Sequence, residues 1–300
     1  MKKIAKILLS VVLMNFILLT SCQKENIIDK EITESNLQKD KRLSDGSHSL
    51  NSDLTEENNF FNLNTREVVW AIGANNRVFK SIDNGVSWTE PNPAARLQQI
   101  SCGKLGGVWG VSYGRVYKWN GSYWEEPVPS ITNAKEVCVV NDNIVWLVRT
   151  SGRVFKTTNG GADGFSYEAL CVNSINEIAA DFSATYGLIS NKEIYRYNGL
   201  TDYFEDYFNH LNKARHIAIG GSGNKYWAIG EYYNIYYSSD AVNWYEPNTS
   251  AYGYEITRGN TYTFVIGNSQ RIFRSTDGVT WAEPNPAAGA FKISAGIEFY

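Results

Sequence analysis

The sequence predicts an all-β protein, a six-bladed β-propeller of four-stranded blades in which the C-terminal strand completes the first blade. Three observations carry this expectation. A phrase of two short β-rich runs around a polar turn recurs six times, and its leading aromatics are Trp70, Trp109, Trp146, Tyr186, Trp227 and Phe264. Their intervals of 39, 37, 40, 41 and 37 residues fall in the range of repeat architectures. Two nearly identical phrases, WTEPNPAARLQQIS from Trp88 and WAEPNPAAGAFKIS from Trp281, stand 193 residues apart. Finally, the array opens on a hairpin at Val68 and closes on the strand FKISAGIEFY, so the last unit holds what the first lacks. A ring satisfies both ends and leaves only short, protected edges. A linear solenoid would leave both ends incomplete and would need capping repeats.

Each unit of the array reads in the same order. The hairpin comes first, as in VVWAIGANNRVFKS, followed by a turn and a W-x-E-P phrase at Trp88, Trp124, Trp244 and Trp281. A last strand then carries a small residue, Ser101, Cys138, Ala179, Ala218, Thr257 or Ser294. Strands crowding one axis leave little volume, which explains those small side chains and makes Cys138 a core filler. Trp70, Trp109, Trp146 and Trp227 share strand parity with Ile72, Val111, Val148 and Ile229, which points them between blades.

The first 63 residues stand apart. Lys2, Lys3 and Lys6 precede an apolar run from Ile7 to Leu19, the form of a secretory signal and too short for a lasting membrane span. Leu19-Thr20-Ser21-Cys22 resembles a bacterial lipobox, which implies a signal peptide over 1–21 and lipid on Cys22. Gln23-Lys24-Glu25 resembles the charged signal that sends some outer-membrane lipoproteins to the cell surface. Residues 22–63 are polar and nearly free of aromatics, so they cannot bury enough surface to fold. They read as a tether with a root-mean-square reach of roughly 35 Å, leaving 64–300 as the propeller.

Composition excludes several classes. The formal charge of −3 and the absence of basic clusters argue against nucleic acid. Cys102, Cys138 and Cys171 make no disulfide framework or zinc spacing, and His48, His210 and His216 are too scattered for a metal site. No cofactor is expected, and the protein is expected to act as a monomer.

Two resemblances add to this. The stretch Gly107-Val108-Trp109-Gly110-Val111, with Tyr117 and Ile100-Ser101-Cys102-Gly103, resembles the tectonin family of propeller lectins, over essentially residues 65–300. Units 3 and 4 match least, with Tyr186 in place of Trp and no W-x-E-P. This resemblance implies six blades and binding of glycans, including O-methylated sugars and bacterial surface polysaccharides. Ser81-x-Asp83-x-Gly85-x-x-Trp88 resembles the Asp-box of sialidases and other secreted propellers, and Ser275–Trp281, with Asp277, is a shortened form. The Asp there is expected to cap a turn by accepting backbone N–H groups, with the Trp packed beneath. Such a box marks the fold and says little about glycosidase chemistry.

A glycosidase needs positioned carboxylates in irregular loops. The irregular segments are 160–174, with Asp163 and Glu168, and 201–215, with Asp202, Glu205, Asp206 and His210. Both read as variation in decayed repeats, so no catalytic residue and no enzyme is expected. For a binder, Trp70, Trp109, Trp146, Trp227, Trp88, Trp124, Trp244 and Trp281 read first as structure. The repeated hairpin turn is the better candidate. Arg77, Arg115, Arg153 and Arg271 occupy one position in it, close to Asn76, Tyr113, Tyr232 and Tyr233. Arginine beside Asn or Tyr can donate to sugar hydroxyls or acidic glycans; equally, each Arg could pair with the Glu of W-x-E-P. The expected function is a surface-anchored, multivalent carbohydrate-binding lipoprotein of the outer membrane. The alternative is a protein–protein scaffold of an outer-membrane complex. A lectin would repeat its sites between blades, whereas a scaffold would carry one asymmetric patch in units 3 and 4. A hydrolase or lyase hidden in the loops of those units weighs less.

Overall fold

The computed structural model describes residues 64–299 except 166, 172–173, 207–210, 212 and 221–224, with backbone alone at 167–171. Cys22, the tether, His48 and His210 lie outside the described residues. Within them the protein is all-β, and its strands pair almost throughout in antiparallel fashion.

The middle strand of each unit is an unbroken apolar run. In β1 (Thr65–Ile72) the residues from Val68 to Ile72 are all buried, and β4 (Val108–Ser112) is buried along its whole length. Continuous burial of this kind means that both faces of the strand are covered. The outer strand β2 (Val78–Ser81) is buried only at its two ends, Val78 and Ser81, with Phe79 and Lys80 half-buried between them.

β2 and β1 pair with the C-terminal strand β21 (Lys292–Phe299), and the β1–β21 register runs from Thr65 opposite Phe299 to Ile72 opposite Lys292. A second sheet holds β3 (Gln99–Cys102), β4, β5 (Arg115–Trp119) and β6 (Trp124–Glu125). Two three-stranded sheets are formed by β15 (Ala214–Gly220), β16 (Lys225–Gly230) and β17 (Ile235–Ser238), and by β18 (Glu255–Arg258), β19 (Thr263–Ile266) and β20 (Ile272–Ser275). The third and fourth units share one eight-stranded sheet. It joins β7 (Ala134–Val139), β8 (Val145–Arg149), β9 (Val154–Thr157) and β10 (Tyr167–Cys171) to β11 (Ile175–Ala180), β12 (Thr185–Ile189), β13 (Ile194–Asn198) and β14 (Tyr203–Asp206). The seam is a parallel pairing of Leu170 with Tyr203 and Cys171 with Phe204.

This differs from the expected uniform set of four-stranded units. In the first, fifth and sixth units the fourth run is a single bridge, Lys80 to Thr89, Tyr237 to Tyr245 and Arg274 to Ala282. The physical reason is in the turn. The second unit also pairs Trp119 with Trp124. In these three the hairpin strand ends at Ser81, Ser238 or Ser275, whose hydroxyls donate to the turn aspartates instead. A proline two residues past the bridge (Pro91, Pro247, Pro284), like Pro127 in the second unit, has no N–H to extend the ladder.

The core is divided into layers. Trp109 packs with Val137 and Leu147 of the next unit, Trp146 with Ile178 and Ile189, and Trp227 with Ile256 and Val265. One layer also joins Phe264 and Ile266 to Val69, Ala71 and Ile293, the last unit against the first. Burying rings of this size contributes roughly 2–3 kcal/mol each. The innermost strands stand side by side in the order β3, β7, β11, β15, β18, β21, and β21 stands beside β3. Small hydroxyls tie them: Ser294 Oγ accepts from the Cys102 N–H at 2.8 Å, Ser101 Oγ from Val139 at 2.9 Å and Thr257 Oγ1 from Ala295 at 3.1 Å.

Candidate functional site

The hairpin turns repeat in conformation as well as in sequence. Asn75 (φ 58°) and Ser269 (φ 57°) occupy equivalent left-handed positions, and in the second unit Tyr113 (φ 46°) is followed by Gly114 (φ 79°). Two consecutive residues with positive φ give the turn whose twist matches a tight hairpin. Tyr113 is 80% exposed.

The arginines after these turns face the W-x-E-P glutamates. Arg77 Nε donates to Glu90 Oε1 at 2.8 Å, Arg115 Nη1 to Glu126 Oε1 at 2.6 Å, and Arg271 donates to Glu283 through Nε and Nη2. Asn234 holds the place in the fifth unit and donates to Glu246 at 2.6 Å. The Glu90 side chain holds the Arg77 guanidinium above its ordinary value, and Arg77 holds Glu90 below its own. These arginines therefore brace the outermost segment against the hairpin, the second of the two roles weighed for them. Their side chains remain 46–47% exposed. Arg153 lies 6.0 Å from the Phe155 ring. Tyr233 packs on Tyr254 with centroids 4.8 Å apart, under the guanidinium of Arg215, while Tyr232 is 78% exposed.

Three of the four tryptophans of the second phrase clamp their turns, while the Trp124 indole N–H has no partner among the described residues. Trp88 Nε1 donates to the Gly85 carbonyl at 3.0 Å, Trp244 to Ala241 at 3.1 Å and Trp281 to Gly278 at 2.9 Å. The aspartates act as turn caps: Asp83 accepts from the Ser87 N–H, Asp240 from Val242 and Asn243, and Asp277 from Val279 and Thr280. The Thr280 and Val279 N–H groups hold the Asp277 carboxyl below its usual range. For Asp83, burial opposes the shift and the Ser87 and Ser81 bonds outweigh it.

Two grooves of matching construction lie between consecutive units. One, of ≈ 340 Å³, is lined by Asn92, Arg96, Ser112, Tyr117 and Trp124; the other, of ≈ 310 Å³, by Asn248, Ser250, Tyr252, Asn268, Phe273 and Trp281. Asn92 answers to Asn248, Tyr117 to Phe273 and Trp124 to Trp281 in the repeat. Each groove thus has two half-buried aromatics in its floor and one asparagine-led loop as its wall. Sequence reasoning assigned Trp124 and Trp281 to structure, took Tyr117 only as part of the tectonin-like phrase and passed over Phe273. The available signal was an aromatic kept two residues after each turn arginine, on the half-exposed face of the outer strand.

A narrow channel of ≈ 90 Å³ runs among the innermost strands. One end carries a polar position from every strand: Gln99, Glu136, Glu177, His216, Glu255 and Lys292. Each side chain reaches its neighbour: Glu136 Oε1 accepts from Ile178 N–H at 3.1 Å, Glu177 Oε1 from Ile217 N–H at 2.9 Å, and Lys292 donates to Glu255 at 2.8 Å. Burial, with Glu177 beside it, pushes the Glu136 carboxyl up to about 8. Burial raises the Cys102 and Cys138 thiols to about 12, so neither is a nucleophile at neutral pH. Among the described residues no group of three or more His, Cys, Asp or Glu side chains could hold a metal ion.

No family model matches the chain, and no curated protein matches it. Among solved structures it is similar to YCF48 bound to D1 peptide, at 16% identity over 71% of this chain and 77% of that one, with a TM-score of 0.48. It is similar to human WBSCR16, at 10% identity over 71% and 76%, TM-score 0.47. It is also similar to YCF48 from Cyanidioschyzon merolae, at 17% identity over 73% and 85%, TM-score 0.43.

Proposed function

We propose that this chain is a lipid-anchored, six-bladed β-propeller that binds carbohydrate at repeated sites between blades and performs no chemistry on it. The observation that carries the reading is the pair of matching grooves, each with an aromatic floor and polar walls. Flat rings take the apolar face of a pyranose, and the flanking amide, hydroxyl and guanidinium groups meet its hydroxyls. Several weak sites on one surface gain avidity together. The side-by-side order of six innermost strands, with β21 next to β3, supports the six-bladed ring. The tectonin-like phrases support the ligand class, and the lipobox-like Leu19–Cys22 with its polar tether supports display on the outer membrane.

The test is a glycan array probed with the full chain in detergent, with O-methylated and bacterial-polysaccharide sugars included. Binding should fall when Tyr117→Leu and Phe273→Leu are combined, and melting temperature should hold. A silent array from a well-folded protein would replace this reading with the protein–protein scaffold.

A further inference from the structure

A cleft of ≈ 600 Å³ opens between the third and fourth units, and its origin lies in the repeat. In four units the outer hairpin strand stops at Ser81, Thr157, Ser238 or Ser275, and a tight turn follows. The small residue of each turn covers an aromatic of the preceding unit: Gly85 lies on Phe264, Gly161 on Trp109 and Gly278 on Trp227, while Ala241 packs with Tyr186. The second and fourth units carry Trp119 and Tyr197 instead at the position of Ser81, the end of the outer hairpin strand. Against Trp70, Trp119 and Trp124 pack at 5.5 and 5.8 Å, beside a β1–β21 pair whose register runs eight residues to Thr65 and Phe299. Against Trp146 stand the smaller rings of Tyr197 and Phe204, at 4.9 and 6.3 Å. The strands β7 and β8 run six and five residues where β1 and β21 run eight each, so the cleft stays open.

The change also strands a cation. Lys80 lies over the Trp70 ring and meets Glu298 at 2.5 Å. Its counterpart Lys156 lies 4.8 Å over the Trp146 ring, and among the described residues no carboxylate stands at ion-pair distance from it. Burial lowers the affinity of Lys156 for its proton, which sharpens it as a hydrogen-bond donor. The opposite wall carries Glu205 and Asp206, with Asp181 on the β11–β12 turn. Phe182 is 57% exposed at the rim.

We infer that this cleft is a single saccharide site, unlike the repeated grooves, that takes a short oligosaccharide of uncharged or amino sugars. The inference rests on the carbohydrate reading above. Its size falls within the range of about 300–1,000 Å³ for small-ligand clefts. Carboxylates accept pairs of sugar hydroxyls, Lys156 donates, and Phe182 offers a ring face. Three carboxylates against the cations Lys156 and Arg196 leave an acidic excess, which repels uronic and sialic acids.

The experiment uses the full chain in detergent on an array holding cellotriose, the glucosamine trimer, trigalacturonate and larger neutral, aminated and acidic glycans. Three proteins are compared: wild type, the Glu205→Gln/Asp206→Asn pair, and the groove pair Tyr117→Leu/Phe273→Leu. Lys156→Met serves as a second cleft variant, and melting curves check that all fold. The expected result is a set of neutral or amino glycans whose signal drops tenfold or more with either cleft variant and persists in the groove pair. Binding lost only in the groove pair would overturn the cleft site while leaving the repeated-site reading standing. Acidic glycans bound in a cleft-dependent way would overturn the selectivity. No glycan bound by any folded protein would overturn both readings.

Discussion

Nδ1 of His216 lies 2.7 Å from Oε2 of Glu177 and 3.6 Å from Oε2 of Glu255, so one imidazole holds carboxylates of the strands on both sides. Burial opposes protonation, but the two glutamates outweigh it and hold the imidazolium up to about 9. Lys292 and Glu136 complete the surroundings, and burial with Glu177 nearby raises Glu136 to about 8. The folded state thus binds more protons than the unfolded chain between about pH 6.5 and 9 for His216, and between about 4.5 and 8 for Glu136. Stability should fall as pH rises through these windows, by up to about 1.4 kcal/mol per pH unit for each proton involved. Urea midpoints at pH 6, 7.5 and 9 read this directly. His216→Gln should shallow the fall between about pH 6.5 and 8, while above pH 8 the buried Lys104, which burial lowers to about 8, works in the opposite direction. A slope unchanged in that variant between about pH 6.5 and 8 would disprove the role of the imidazolium.

The arginine–glutamate braces are solvent-exposed, and exposed pairs contribute little. Arg77→Ala, Arg115→Ala and Arg271→Ala should each lower the chemical-denaturation midpoint only slightly. A loss several times larger at any one of them would mean that the outermost segment depends on its brace.

Gly278 lies on the ring of Trp227, and a Cβ there would meet the indole at 2.4 Å. Trp227→Ala should cost about 3–5 kcal/mol, and Gly278→Val should destabilise as well, since φ is 78° and the ring cannot retreat. Thermal melts of both variants check this. A neutral Gly278→Val would show that the turn is free to lift away from Trp227.

β21 pairs with β1 across eight positions, and it brings the last unit against the first. Deleting 291–300 should abolish cooperative unfolding. A truncated protein that melts at the full-length temperature with the same sharpness would refute the ring.

Tyr113 sits at φ 46°, where a side chain is strained and asparagine is tolerated. Tyr113→Asn should leave the fold intact or raise its stability by a few tenths of a kcal/mol. Any drop in glycan binding in that variant would then report contact of the exposed ring with ligand.

The fold was legible because it is written six times. The spacing of Trp70, Trp109, Trp146, Tyr186, Trp227 and Phe264 located the middle strands, and the small residues at Ser101 and Ser294 located the innermost ones. The odd ends of the array foretold the β1–β21 pair. The joined third and fourth units were not foretold, because their pairing joins Leu170 to Tyr203, two runs without a shared phrase. The candidate sites were less legible still. The turn arginines advertised themselves by repetition, yet repetition in a ring marks structure first, and their glutamates sit 11–13 residues away. The grooves arise from surfaces of two units at once, which no single phrase contains. The cleft arises from what the fourth unit omits.

The parallel seam between β10 and β14 has a consequence for how the molecule avoids its own kind. Every outermost run with unpaired N–H and C=O groups is a template for another chain. The first, second, fifth and sixth units end that run in Glu-Pro, at Pro91, Pro127, Pro247 and Pro284, which pairs poorly with an incoming strand and places charge beside it. The third and fourth units have neither safeguard. They cover each other's rim instead, so proline where it is present and mutual pairing where it is absent serve one purpose: each shields an outermost run from an incoming strand on which aggregation could seed.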